Sequence, residues 1–315
     1  MMASEDLAFL ADVAALYYEK ELSQSEIGRK IGRSRSMVSR LLREAREQGL
    51  VEIRIRHPLK TDTWLEDQLI ETFGLKAARV LAEPPDEHSM LLARLGALGA
   101  HVLQEYLRDN ARVGIGWGTA VYELVRGLPV LHFKQASVLQ MIGALGSGDP
   151  LVDGPELARW LAQKVGGRDH FLHAPLIVED ELVAESLRKQ KSIAMTLDSA
   201  RRADIAIVGI GTVEADYSSL RRAGYVDEDQ LQELKEQGAV GDVLARQIDA
   251  EGRQLDVSLN RRVIGVELQA LRSIPRVIAV AGGQAKEAAI LAAVRGGHVN
   301  TLVTDARNAR VMLNI

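Results

Sequence analysis

Apolar residues recur with the spacing of helices in three short segments at the beginning of the chain. The first segment covers residues 5–19, and its apolar face consists of Leu7, Leu10, Ala14 and Tyr17. The second begins at Ser23, which forms with Glu26 the Ser-x-x-Glu pattern of a capping box. The third begins at Ser34 and stops at Gly49, with an apolar face made of Val38, Leu41, Leu42 and Ala45. The pattern predicts two short helices joined by a tight turn, preceded by a supporting helix.

The outer face of the third helix is polar and carries arginine. Two short helices in this arrangement are typical of a helix-turn-helix that binds DNA. Arginine can bond the O6 and N7 atoms of guanine, serine can reach bases or phosphates, and a helix N-terminus attracts phosphate. We therefore expect operator DNA to contact one set of residues: Gln24, Ser34, Arg35, Ser36, Ser39, Arg40 and Arg43. A single arginine among them is more often a phosphate contact than a base contact.

Residues 50–56 alternate between apolar and charged side chains, which is the pattern of a strand packed on one face. A strand directly after a recognition helix predicts a winged helix-turn-helix, with Arg54 and Arg56 near the DNA backbone. Pro58 then disfavours helix at His57. We therefore predict two domains, a helix-turn-helix domain over 1–57 and a larger domain over 58–315.

In the larger domain, short apolar runs alternate with segments of helical periodicity. Strands are predicted at 112–116, 137–142, 204–210, 276–281 and 301–304. Helices are predicted at 63–76, 87–109, 118–127, 155–165, 183–202, 228–237 and 284–295. The runs at 205–208 and 277–280 are apolar on both faces, as central parallel strands require. The alternation predicts a doubly wound α/β sheet.

Four of the predicted strands lead into glycine-rich loops, at the edge of the sheet where ligands bind. These loops are 113–119, 141–146, 208–212 and 281–286. Glycines let the backbone approach a ligand, and free amides at the start of a helix favour a phosphate. Lys286 follows the last pair of glycines, where an ammonium group adds positive charge to such a site. The loops predict a site of sugar-phosphate size, without a dinucleotide fingerprint or a P-loop lysine motif.

The composition is that of a globular protein. The 315 residues are 47% hydrophobic and 26% charged, which fits about two domains. The absence of cysteine excludes disulfides and thiolate metal sites, and we expect neither a metal nor a cofactor. Acidic residues interrupt the apolar N-terminus, and no apolar run reaches about 18 residues. We therefore expect no signal peptide, no membrane span and a cytoplasmic protein.

The formal net charge of −4 argues by itself against nucleic acid as a partner. Its distribution along the chain reverses that argument. Residues 25–60 contain 10 Lys and Arg against 4 Asp and Glu, whereas residues 61–315 carry a net charge of −6. A basic segment on an acidic chain fits a small DNA-binding unit attached to a larger sensor.

The segment QSEIGRKIGRSRSMVSRLLREAREQGLVEIRI resembles the helix-turn-helix of the SorC-type sugar-sensing bacterial transcriptional regulators. The later segments VGIGWGTA, ADIAIVGIGTV, GAVGDVLARQIDAEG and VIAVAGGQAKEAAILAAVRGGHVNTLVTDARNA resemble the effector domains of that family in order and spacing. Those domains resemble ribose-phosphate isomerase and glucosamine-phosphate deaminase in fold. The resemblance implies a homo-oligomeric, tetrameric regulator whose operator binding is controlled by a small sugar, sugar phosphate or polyol.

The resemblance also implies roles for individual residues. A phosphate or other anion is implied at Gly116, Gly118, Thr119 and Lys286. Gly209 and Gly211 would form the floor of the site, Asp242 would orient a loop, and Asp249 would contact sugar hydroxyls. We add Gly143, from the second glycine loop, to the effector-binding set. Phosphate-binding members commonly have two adjacent hydroxyl residues where this chain has Thr119-Ala120, so an unphosphorylated sugar or polyol stays open.

Two alternatives remain at this stage. Trp117, inside the first glycine loop, either stacks on a sugar or packs in the core. The chain could also be a sugar-phosphate isomerase or deaminase with an accessory N-terminal domain. The third loop holds no carboxylate before Glu214 and Asp216, which leaves few candidates for acid–base catalysis. A ligand-controlled DNA-binding regulator is therefore the predicted function, at least dimeric because operators usually contain two half-sites.

Overall fold

The computed structural model describes residues 4–51, 59–146 and 153–315. The chain divides into two compact units, Met1–Pro58 and Leu59–Ile315. Residues 52–56 of the strand predicted after the third helix, Arg54 and Arg56 among them, lie outside the described residues. No helix in the described part of the chain is long and apolar enough to cross a membrane.

The first unit contains three helices, as predicted: α1 (Ser4–Tyr18), α2 (Gln24–Ile31) and α3 (Arg35–Glu47). The capping box is confirmed, because the Ser23 amide donates to Glu26 Oε2 at 2.8 Å and the Glu26 amide donates to Ser23 Oγ at 3.3 Å. Ser34 Oγ likewise accepts from the Met37 amide at the start of α3. The three helices share a small core made of Leu10, Val13, Ala14, Ile27, Val38, Leu42 and Ala45.

The turn between α2 and α3 depends on two glycines. Gly32 has a φ of 67°, in the left-handed region that favours glycine. The Arg33 amide donates to the Gly28 carbonyl at 2.8 Å. A Cβ atom at Gly28 would lie 2.6 Å from the Arg33 carbonyl oxygen, so only glycine allows the chain to pass this close to α2.

The second unit is built on a parallel sheet. The strands of this unit are β1 (Ala77–Leu81), β2 (Arg112–Ile115), β3 (Ser137–Gln140), β4 (Arg168–His170), β5 (Ile205–Thr212), β6 (Gly241–Val243), β7 (Arg246–Ile248), β8 (Arg276–Val280) and β9 (Thr301–Asp305). Seven of the described strands run parallel in the order β1-β9-β8-β5-β2-β3-β4. The hairpin β6–β7 pairs antiparallel with the end of β5, so it stands over the edge where the parallel strands end.

Helices cover both faces of the sheet. They are α4 (Thr63–Phe73), α5 (His88–Tyr106), α6 (Thr119–Gly127), α7 (Gly154–Val165), α8 (Glu181–Lys189), α9 (Lys191–Arg201), α10 (Ser219–Arg222), α11 (Glu228–Glu236), α12 (Ser258–Arg262), α13 (Leu268–Leu271), α14 (Glu287–Arg295) and α15 (Ala306–Leu313). Along β5, Ile205 and Ile207 belong to one apolar cluster, and Ala206 and Val208 belong to the other. Because successive side chains of a strand point to opposite faces, both faces are buried, which confirms the predicted doubly wound α/β sheet.

The structure differs from the sequence prediction in two of the predicted helices and in several short elements. The helix predicted over 183–202 is two helices, because Gln190 adopts an extended conformation with ψ at 130°. The helix predicted over 284–295 begins as a 3-10 turn, Gln284–Lys286. The edge strands β1 and β4, the hairpin β6–β7, the short helices α10, α12 and α13 and the last helix α15 were not predicted.

Candidate functional site

The polar face of α3 is accessible, because the apolar face of the helix packs against α1 and α2. Ser34, Arg35, Ser36, Arg40 and Arg43 are exposed. Ser39, and Gln24 at the start of α2, are half-buried. Three guanidinium groups beside a serine-capped helix start can contact phosphates and base edges together.

In the second unit, several predicted effector residues meet in one small pocket. The β2–α6 loop, the end of β5, the β6–β7 hairpin and the turn before α14 all contribute to its walls. Six predicted residues line this pocket: Gly118, Thr119, Gly209, Gly211, Asp242 and Lys286. Trp117 also lines the pocket, and with only 9% of it exposed it belongs to the buried core as well.

One wall of the pocket is the N-terminus of α6. Gly118 precedes this helix with a φ of 111° and a ψ of 168°, a conformation essentially confined to glycine. No side chain among the described residues caps the helix, and its first intrahelical bond runs from the Tyr122 amide to the Gly118 carbonyl. The amides of Thr119 and Ala120 thus lie in the first turn, where helices have no partner for them and where the helix dipole favours anions.

Lys286 brings a buried ammonium group to the same pocket. Its side chain is at the end of the 3-10 turn, is 8% exposed, and donates from Nζ to the Ile210 carbonyl at 2.6 Å. Burial lowers the pKa of Lys286 to about 8, although the nearby Asp242 carboxylate opposes this change. The group is still largely protonated at pH 7, so the pocket contains a poorly solvated positive charge.

Asp242 is the acidic counterpart of Lys286. Its side chain is 9% exposed, and Oδ1 accepts from the Ala245 amide at 3.1 Å. Burial raises the pKa of Asp242 to about 6, whereas Lys286 and the Ala245 amide act in the opposite direction. A Cβ atom at Gly211 would overlap the Asp242 carboxylate, so glycine is required for β5 and the hairpin to approach each other here.

Three predicted effector residues do not line the pocket. Gly116 lies behind it, where a Cβ atom would be 3.2 Å from Leu244 Cδ2. Gly143 donates to the Ile264 carbonyl at 2.9 Å, and a Cβ atom there would overlap the backbone of Pro175.

Asp249 forms a turn after β7. Its Oδ2 accepts from Arg253 Nε at 2.8 Å, and its Oδ1 accepts from the amides of Glu251 and Arg253. The carboxylate is thus occupied by its own loop.

A larger cleft adjoins the pocket and shares Lys286 with it. Its cavity volume is about 920 Å³, against about 30 Å³ for the pocket. The loops after β1, β5 and β8 form most of its walls and bring His88 and Tyr217 into it. Sequence reasoning missed His88 because β1 was not predicted, and in the loop after β5 it considered Glu214 and Asp216 but not Tyr217. An aromatic residue shortly after the glycines of β5 was the one available signal.

Comparison with known proteins agrees with this architecture. A family described as a putative sugar-binding domain matches residues 57–314, and sigma-70 region 4 matches residues 11–48. The deoxyribonucleoside regulator of Bacillus subtilis is 33% identical over 303 residues, which are 96% of each protein. The sorbitol operon regulator of Klebsiella pneumoniae is 29% identical over 327 residues, which cover 99% of this chain and 100% of that protein.

Solved structures agree over the whole chain or over most of it. The full-length sorbitol operon regulator SorC from Klebsiella pneumoniae superposes with a TM-score of 0.73 at 29% identity, covering 98% of this chain and 100% of SorC. A DeoR family regulator from Listeria monocytogenes gives 0.72 at 28% identity, covering 79% of this chain and 98% of its own. The similarity includes both the helix-turn-helix and the sheet domain. This chain therefore belongs to the SorC family of transcriptional regulators, which join a DNA-binding helix-turn-helix to a sugar-binding domain.

Proposed function

We propose that this protein binds operator DNA through α3 and changes its operator affinity when a small sugar, sugar phosphate or polyol binds with one of its polar groups in the Lys286 pocket. One observation carries the proposal. Five predicted residues from three segments line one pocket together with the buried ammonium group of Lys286, in a chain that also presents an exposed arginine-bearing helix.

The chemistry of the pocket suits a polyoxygenated ligand. Lys286 and the first amides of α6 supply donors to an anion or to hydroxyl oxygens. Asp242 supplies an acceptor for a hydroxyl group, or a donor when it is protonated. We propose Gly118, Thr119, Gly209 and Gly211 as the backbone surface on which the ligand rests. Gly116, Gly143 and Asp249 act behind that surface, by holding the loops in place.

Control of an operator requires more than one copy of the chain. Operators usually contain two half-sites, so we propose a homo-oligomer, at least a dimer, and a tetramer by resemblance to the family. The effector changes DNA affinity only if it binds two conformations or assemblies unequally. We place this activity in the cytoplasm, where the DNA is, and we propose it without a metal or cofactor.

An enzymatic role deserves a direct test, because perturbed pKa values such as those of Asp242 and Lys286 also mark catalytic acids and bases. Lys286 donates a hydrogen bond to the Ile210 carbonyl, and Asp242 accepts one from the Ala245 amide. Such hydrogen bonds to the backbone suit ligand binding more than proton transfer. We infer binding without turnover. Conversion of ribose 5-phosphate or glucosamine 6-phosphate by the purified protein would overturn this inference.

A gel-shift assay on the DNA upstream of the gene tests the central proposal. We expect sequence-specific binding that weakens as salt is raised, because arginine contacts release counterions from DNA. A panel of sugars, polyols and their phosphates should include a compound that changes this affinity and raises the melting temperature. Absence of salt-sensitive, sequence-specific binding would refute the regulatory role.

A further inference from the structure

We propose that the effector extends from the Lys286 pocket into the adjoining cleft, where His88 and Tyr217 hold an uncharged, hydroxyl-bearing part of it. This inference rests on the proposed function and adds to it the chemical class of the second half of the ligand. Of the individually predicted effector-binding residues, only Lys286 lines the cleft.

The sizes of the two cavities require a second compartment. The pocket has a volume of about 30 Å³, whereas a single water molecule needs about 10–15 Å³ on the same measure. It can take a phosphate oxygen or a hydroxyl group, and it is too small for a sugar. The cleft, at about 920 Å³, falls within the range of about 300–1,000 Å³ that is usual for ligand sites. Because Lys286 lines both cavities, a ligand bound to its ammonium group continues into the cleft.

His88 and Tyr217 form the aromatic part of the cleft. Their rings are in edge-to-face contact, with centroids 5.2 Å apart and an interplanar angle of 73°. Tyr217 remains 41% exposed, so its ring can cover the apolar face of a sugar. His88 begins α5 and lies beside Gly283, where a Cβ atom would be 3.6 Å from Nδ1. The pair therefore stands at the loop that leads to Lys286.

The protonation state of His88 suits hydroxyl groups. Burial lowers the pKa of His88, and the charges of Lys286 and Arg222 lower it further. The imidazole is therefore neutral at pH 7 and offers one donor and one acceptor. A sugar hydroxyl, which both donates and accepts, matches this pair, whereas a phosphate would be matched better by a cation.

The charges around the cleft disfavour a second anionic group. Besides Lys286, the described cations that line it are Arg307 and Lys235. Arg307 is paired with Asp86, and Lys235 Nζ lies 3.1 Å from Glu214 Oε1. The lining contains five carboxylates in all: Asp86, Glu214, Asp216, Glu228 and Glu287. A second phosphate would meet more carboxylates than cations, so the distal part of the effector is uncharged.

Titration calorimetry on the full chain can test both parts of the inference. The probes are inorganic phosphate, fructose, ribose, a monophosphate of each of these two sugars, and fructose 1,6-bisphosphate. We expect Tyr217→Ala and His88→Ala to weaken the tightest sugar ligand about tenfold and to leave inorganic phosphate unchanged. Tyr217→Phe and His88→Gln should retain most of the affinity. Trp64→Ala removes an exposed aromatic ring, 57% accessible, that lines neither cavity, and it serves as the matched control.

The outcomes separate this inference from the proposed function. Unchanged sugar affinity in both alanine variants, with binding lost in Lys286→Ala, would overturn the cleft proposal and keep the Lys286 pocket. Fructose 1,6-bisphosphate as the tightest ligand would overturn the uncharged distal group. Failure of every sugar to bind the wild-type protein would refute sugar control itself, and with it the cleft proposal.

Discussion

Replacing Lys286 by methionine should stabilise the protein and abolish its response to the effector. The ammonium group is 8% exposed, and its described hydrogen-bond partner is the Ile210 carbonyl. Burial lowers its pKa from 10.5 to about 8. Lys286 is thus charged at pH 7 in surroundings that favour its neutral form. Methionine has a similar length and carries no charge.

The magnitude follows from the pKa of the lysine. Each pKa unit corresponds to about 1.36 kcal/mol, so the charge destabilises the fold by about 3 kcal/mol at pH 7. Loss of the hydrogen bond to Ile210 offsets about 1–2 kcal/mol of this gain. Asp242 loses a neighbouring cation, so its pKa, already about 6, rises further, and this change offsets more of the gain. The net stabilisation is therefore at most about 1–2 kcal/mol, or roughly 2–8 °C in Tm for a unit of this size.

Calorimetric or urea unfolding at several pH values measures this difference. The folded pKa of Lys286 is lowered, so its contribution to stability is present above pH 10.5 and is lost as the pH falls through about 8. The advantage of Lys286→Met should therefore be small near pH 10.5 and fully developed below pH 8. The variant should also show no rise in Tm with any sugar that stabilises the wild type.

Lys76→Met provides a matched control. Lys76 also donates to a carbonyl oxygen, that of Pro275 at 2.8 Å, but it is exposed. Its replacement should change the free energy of unfolding by no more than about 0.5 kcal/mol. The reasoning would be wrong if, at pH 7, Lys286→Met lowered the free energy of unfolding by more than about 1 kcal/mol while Lys76→Met did not. That result would mean that the fold fully compensates the buried charge of Lys286.

Three further substitutions test the division of labour within the chain. Arg40→Ala should weaken operator binding about tenfold and reduce its salt dependence, with sugar binding unchanged, in gel-shift and calorimetric assays. Gly28→Ala would place a Cβ atom 2.6 Å from the Arg33 carbonyl, so we expect loss of operator binding with the sugar-induced rise in Tm intact. Asp305→Ala removes the acceptor that holds the Gly283 amide at 2.8 Å, and it should weaken sugar binding while operator binding by the free protein is retained. Loss of both activities in the Arg40 variant, or normal sugar affinity in the Asp305 variant, would contradict these assignments.

Much of the fold could be predicted because its elements depend on residues that are close in sequence. The capping box of Ser23 and Glu26 and the apolar faces of α1 and α3 are local patterns, and the structure confirms them. The central strands β5 and β8 were found because both of their faces are buried. The sequence prediction missed short elements whose structure depends on pairing with residues that are distant in the sequence. The edge strand β4, for example, consists of Arg168, Asp169 and His170 and carries no apolar pattern.

The site, like the fold, could be predicted from the sequence only in part. Glycines at strand ends, and a lysine after the last of them, are visible in the sequence, and a parallel sheet must bring its strand ends to one edge. Their spacing does not reveal which side chains meet there. Asp249 is occupied by its own turn with Arg253, whereas His88 and Tyr217, 129 positions apart in the chain, are in contact beside Lys286.

The amino-acid pattern alone thus determined the two kinds of domain, the exposed polar side of α3 and the glycine loops that meet at the Lys286 pocket. Packing determined the rest. The hairpin β6–β7 folds over the end of β5 and buries Asp242 and Lys286 in one pocket, and desolvation moves their pKa values towards neutrality. Burial of a charge depends on segments that are distant in sequence and adjacent in space, and for that reason only the tertiary structure decides it.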